Sequence, residues 1–129
     1  MGILMGPERA ANMGPGGWGL EAGIRYSAQA DTPVTPMRPL QVVWRQVKRR
    51  TTGGGVLGRH QSVAPMAALR AVTIDAAWQV CMDDSVGSLE PGKLADMVVL
   101  SGSPLESSDV RELLVERTFI GGAEVYTRR

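Results

Sequence analysis

Cysteine, histidine and phenylalanine each occur once in this chain of 129 residues. Cys81, standing alone, excludes an internal disulfide framework and a zinc cluster built from thiolates. A reducing compartment therefore carries no penalty, and a cytoplasmic setting is the expectation. His60, also alone, excludes a metal centre built mainly from the chain's own imidazoles and leaves one candidate for a histidine-dependent triad. No apolar run approaches the ~20 residues of a membrane span. The opening is apolar only briefly, with Glu8 and Arg9 close behind, so no secretory signal is expected. Charge of one sign is missing too. The 14 Lys+Arg against 13 Asp+Glu leave a net charge of +1, with no global field to draw the chain to nucleic acid or an anionic membrane. Length sets a last bound: a complete (β/α)₈ barrel needs about 250 residues.

What is present is a globular balance, with 43% hydrophobic and 21% charged residues, enough for one ordinary domain. Gly6 to Ala11 can form a helical turn with Pro7 at its first position. The Gly- and Pro-rich stretch from Asn12 to Gly19 predicts a loop, followed by a short helix over Leu20 to Ala22 closed by Gly23. Ile24 to Ala30 predicts a strand ending at Asp31, which Pro33 and Pro36 prevent from continuing. Pro39 then opens a helix on which Leu40, Val43, Trp44 and Val47 form one apolar stripe. Lys48, Arg49 and Arg50 fall at its end, where cations suit the helix dipole. A polyanion contact is the other reading of this triplet, but no aromatic residues are interleaved with it. The loop from Thr51 to Gly58 carries Gly53, Gly54 and Gly55 without the Gly-Lys-Ser/Thr of a phosphate-binding loop.

A second long helix is expected from Pro65 to about Val80, burying Met66, Leu69, Val72, Thr73, Ala76, Ala77 and Val80. Its start is poorly capped, with Ala64 and Ala67 where Ser and Glu would form a capping box. Trp44, Met66 and Trp78 are expected in a core or interface. The last third turns to β. Glu90-Pro91-Gly92-Lys93 has type II turn chemistry. Leu94 to Leu100 predicts a strand whose Met97 to Leu100 run looks buried on both faces. Asp109 to Leu114 suggests a helical turn, and Arg117 to Ile120 and Ala123 to Thr127 flank a Gly121-Gly122 hairpin signal. Few apolar surfaces remain to cover these strands, and a small sheet with open edges should find a partner.

The stretch Val86-Gly-Ser-Leu-Glu-Pro-Gly-Lys-Leu-Ala-Asp-Met-Val-Val-Leu100 resembles the C-terminal signature of the amidohydrolase superfamily. Upstream, Ala68-Leu-Arg-Ala-Val-Thr-Ile-Asp-Ala-Ala77 is similar to that superfamily's last barrel helix. Gly6-Pro-Glu-Arg-Ala-Ala11 and Ala30-Asp-Thr-Pro-Val-Thr-Pro36 resemble the surroundings of the eighth barrel strand. Together these motifs point to the amidohydrolase-3 branch, which includes N-acyl-amino-acid-deacylase-like enzymes. Two places depart from the family pattern: Ala30 stands where Ser or Thr usually precedes the catalytic Asp, and Ala64-Pro-Met-Ala67 where the helix usually opens Ser-Pro-x-Glu.

The resemblance implies an α/β chain. Residues 1–83 would be the C-terminal part, last strand and helices, of a metal-dependent hydrolase (β/α)₈ barrel, and residues 84–129 the C-terminal strands of its small β-sandwich. It also implies hydrolysis of non-peptide C–N bonds by metal-activated water on a small amide-type substrate. Asp31, at the end of the eighth strand, is then both the catalytic proton acceptor and a metal ligand. The implied cofactor is a divalent metal, zinc foremost. The family's His-x-His pair and later barrel histidines have no counterpart here, and one carboxylate falls short of the roughly three or four protein ligands of a zinc site. By itself the chain is expected to bind no metal and to need a complementing N-terminal segment. The alternative is a non-catalytic module of the same ancestry that forms homo-oligomers or binds a partner through its sheet. Neither nucleic acid nor membrane is expected as a partner.

Overall fold

The computed structural model describes residues 2–129. Its first part is helical: α1 (Gly2–Met5), α2 (Pro7–Ala11), α3 (Gly16–Glu21), α4 (Pro39–Lys48), α5 (Pro65–Ala71) and α6 (Ile74–Gln79). A 3-10 turn, Arg59–Gln61, precedes α5, and a second, Val110–Glu112, lies between β1 (Met97–Leu100) and β2 (Val115–Ile120). With β3 (Ala123–Thr127) the strands form an antiparallel meander in the order β1-β2-β3.

The helix α4 follows its sequence pattern. Pro39 occupies the first position, where its missing N–H costs nothing. Val43 is fully buried, with Leu40, Trp44 and Val47 packed around it. The core joins Val43 of α4 to Val63, to Ala68 of α5 and to Val110 of the second 3-10 turn. That last contact ties the sheet-bearing third of the chain to the helices. The turn before β1 also forms as expected: the Lys93 N–H donates to the Glu90 carbonyl at 3.2 Å, and Gly92 takes a φ of +96°. Gly121-Gly122 joins β2 to β3.

Four expectations are corrected. The glycine-rich stretch expected as a loop contains α3, which begins at Gly16 rather than Leu20. A Cβ on Gly17 would lie 2.6 Å from the His60 carbonyl oxygen, so glycine serves close backbone approach here rather than chain freedom. Residues 24–30 are irregular and form no strand, because a strand exists only beside a partner and no described segment lies alongside to complete a ladder. The expected helix over 65–80 is two helices. β-branched Val72, Thr73 and Ile74 come in succession, and the Thr73 hydroxyl donates back to the Leu69 carbonyl at 2.8 Å. The break rotates the buried face onto Ala68, Ala71, Asp75 and Ala77, leaving Met66, Thr73, Trp78 and Val80 exposed. Finally, β1 begins only at Met97, and Val98 and Val99 are 52% and 42% exposed. The apolar run is not covered on both faces, since the sheet has a single layer and each strand face needs a second layer to bury it.

Candidate functional site

Asp31 ends the irregular segment 24–31. It takes a left-handed backbone conformation with φ +56°, which Asp tolerates better than most side chains. Its carboxylate is exposed, and no hydrogen bond or ion pair engages it among the described residues. A small backbone cage follows. The Asp31 carbonyl accepts the Val34 N–H at 2.8 Å. The Thr35 hydroxyl donates to the Ala30 carbonyl and the Thr32 hydroxyl to the Thr35 carbonyl at 3.2 Å. Asp31 thus sits where the irregular segment meets this turn.

The approach to Asp31 is held by side chains instead of a strand ladder. The Arg25 guanidinium donates to Asp75 Oδ1 at 2.7 Å and to the Ile74 carbonyl at 3.2 Å, both on α6. It also lies 3.6 Å from Asp83 Oδ2 and 4.8 Å from the centre of the Trp78 ring. The Ser27 hydroxyl donates to Gln79 on the same helix. Tyr26, between them, turns to α4 and donates to Gln46 Oε1 at 3.2 Å. Burial first, and then the Asp75 carboxylate, push the Tyr26 phenol above its usual value, so it stays a neutral donor through the physiological range. The Ala28 N–H donates to the Ala71 carbonyl at 2.9 Å. An open cleft of about 710 Å³ runs beside this segment, lined in part by Trp18, Ile24, Tyr26, Val42 and Arg45. Asp31 does not line it.

His60 contacts the first loop and α3. Its Nε2 is 2.7 Å from Asn12 Oδ1, and its ring is 5.6 Å from that of Trp18. Arg49, the middle of the basic triplet, caps α4 in a left-handed conformation. It donates to the carbonyls of Met13, Gly14 and Leu57. Burial lowers its affinity for the proton, and its charge is spent on tying the first loop to the helix end. Among the described residues no three His, Cys, Asp or Glu side chains converge as a metal site would require. The donor set does not fit a resident metal held by this chain's described residues alone.

Sequence reasoning singled out Asp31 and did not anticipate the side-chain contacts that hold the segment before it. Asp75 falls among apolar positions of a helix expected to be continuous, and only the break after Val72 turns it inward. Gln61, fully buried, accepts the Trp18 N–H at 3.1 Å through Oε1, while its Nε2 has no partner among the described residues. Periodicity marks neither residue as buried.

A model of the amidohydrolase family matches residues 2–126. The chain is 35% identical over 111 residues to an N-substituted formamide deformylase of Arthrobacter pascens, covering 84% of this chain and 20% of that relative. It is 35% identical over 100 residues to Protein LONG AFTER FAR-RED 3 of Arabidopsis thaliana, covering 75% and 17%. A solved amidohydrolase from Thermotoga maritima superposes with a TM-score of 0.63 at 29% identity, covering 84% of this chain and 24% of the other. The chain spans about a fifth of the length of the curated relatives it matches.

Proposed function

The chain belongs to the amidohydrolase family, and on that premise we propose that it supplies the Asp31-bearing part of a hydrolase acting on amide-type C–N bonds. The observation that carries this reading is the state of Asp31. It is a solvent-facing carboxylate, held by backbone contacts behind and side-chain tethers ahead, with no partner of its own among the described residues. Such a group is available to take a proton from an attacking water at one carboxylate oxygen. The water oxygen then bonds to the acyl carbon, the C–N bond breaks, and the proton passes to the departing nitrogen. Proton transfer of this kind contributes about 10²–10⁴-fold to rate.

Metal dependence belongs to this proposal only for an assembled enzyme. The donor set of the described residues falls short of a site, so Asp31 would be one donor among others contributed from outside them. In the same reading the helical part of the chain completes a barrel, and β1 to β3 supply strands of a small sandwich. The name of the formamide deformylase relative suggests N-substituted formamides as the first substrates to try.

The test is to combine this chain with the N-terminal portion of a homologous amidohydrolase and follow amine release from such formamides. Hydrolysis is expected from the mixture and not from either part, with loss on chelation and a drop of about 10²–10⁴-fold in Asp31→Asn. Hydrolysis undiminished in Asp31→Asn would remove Asp31 from the chemistry.

A further inference from the structure

The segment leading to Asp31 must keep one register although no ladder fixes it. Its odd-numbered Arg25 and Ser27 reach α6, and the intervening Tyr26 reaches α4. A one-residue slip would exchange the two sets of side chains between the two helices, as it does in a strand. Of these contacts, the Ser27 and Tyr26 hydroxyls each make one neutral bond. Arg25 alone is held from several directions, by a carboxylate, a carbonyl, a second carboxylate and an indole face. A guanidinium is a planar fork with fixed donor directions. Arg70 also reaches the buried Asp75 Oδ1, at 3.5 Å, but Arg25 makes the shorter contact, 2.7 Å, and is the partner that belongs to the segment.

We propose that Arg25 is the positioning residue for Asp31: its fork, docked on α6, sets how far the segment advances and therefore where the carboxylate stands. This deepens, and rests on, the reading of Asp31 as the catalytic carboxylate. It places a requirement for function on an ion pair remote in sequence from the motif, between the segment's start and the last helix.

Hydrogen exchange on the full chain tests it. The informative amides are Ala28, bonded to Ala71, and Val34, bonded to Asp31; Val43 in α4 is the reference. In Arg25→Met both informative amides are expected to exchange about tenfold faster, with Val43 unchanged. Arg25→Lys, which keeps the charge and loses the fork, is expected to restore the melting temperature but leave Val34 fast. Unchanged exchange at both amides in Arg25→Met, equal acceleration at Val43, or full protection in Arg25→Lys would each overturn the proposal. Should Arg25→Met not fold, Asp83→Asn removes only the 3.6 Å contact. A smaller acceleration confined to the same two amides is then expected, and no change there counts against the proposal. Asp31→Asn leaves these exchange rates as they are, so its effect on hydrolysis judges the catalytic reading separately.

Discussion

Arg111 shows how much of this molecule is decided by single charged side chains with two partners. Its guanidinium lies 3.7 Å above the Trp44 ring centre and is bonded through two nitrogens to Asp109. The side-chain bonds from Arg111 hold the Asp109 carboxyl below its ordinary value of 3.8. A carboxyl lowered in the folded state stabilises the fold above its unfolded value, and that stabilisation is lost as pH falls below it. The urea midpoint of the protein should therefore exceed that of Asp109→Asn by a constant margin above about pH 5. The margin should shrink below pH 3.8, and a margin that persists at the acid end would deny the pair any role. Asp31 differs in that no hydrogen bond or ion pair engages its carboxylate among the described residues.

At the scale of the element, capping and interruption matter more than periodicity. The first residue before α5 is Ala64, extended and exposed, with no side chain to accept the free N–H groups of the first turn. Ala64→Ser supplies that acceptor and is expected to raise stability by about 1 kcal/mol, read as a higher urea midpoint at unchanged slope. No gain would mean that Pro65 and the preceding 3-10 turn already fix the helix start. Periodicity located α4 and put Val43 at the centre of its buried face because nothing interrupts that helix; Val42 beside it is buried as well, off the expected stripe. It misjudged residues 65–80 because the 3.6-residue count was carried through Val72-Thr73-Ile74, where the helix restarts with a different face inward. The segment 24–30 has the composition of a strand and lacks only a neighbour, and a neighbour is not a property of the segment.

Across the whole molecule the described core is thin. Its fully or nearly buried apolar residues are Ala10, Ala68, Ala71 and Ala77 together with Val42, Val43, Val63 and Val110. Large apolar side chains remain at the surface, among them Val98, Ile120, Val125 and Tyr126 on the sheet. Exposed apolar side chains on a single-layer sheet are accessible to an apolar probe. The native chain is therefore expected to enhance the fluorescence of the dye ANS, with the enhancement lost on unfolding in urea. Absence of enhancement would mean that the face is covered in solution, and sedimentation would then report an oligomer. None of the described helices is long and apolar enough to cross a membrane.

The sequence by itself determined the family, the order of the elements in the last third, the helix opened by Pro39 and the type II turn at Pro91-Gly92. These follow from local chemistry: turn residues, a helical stripe and the spacing of motifs are all carried by neighbours along the chain. The tertiary structure decided the rest. It kept residues 24–30 from becoming a strand, because backbone pairing needs a second segment alongside. It also turned Asp75 inward to meet Arg25, 50 residues away, because the contact depends on where α6 restarts and how it packs, which no local pattern encodes.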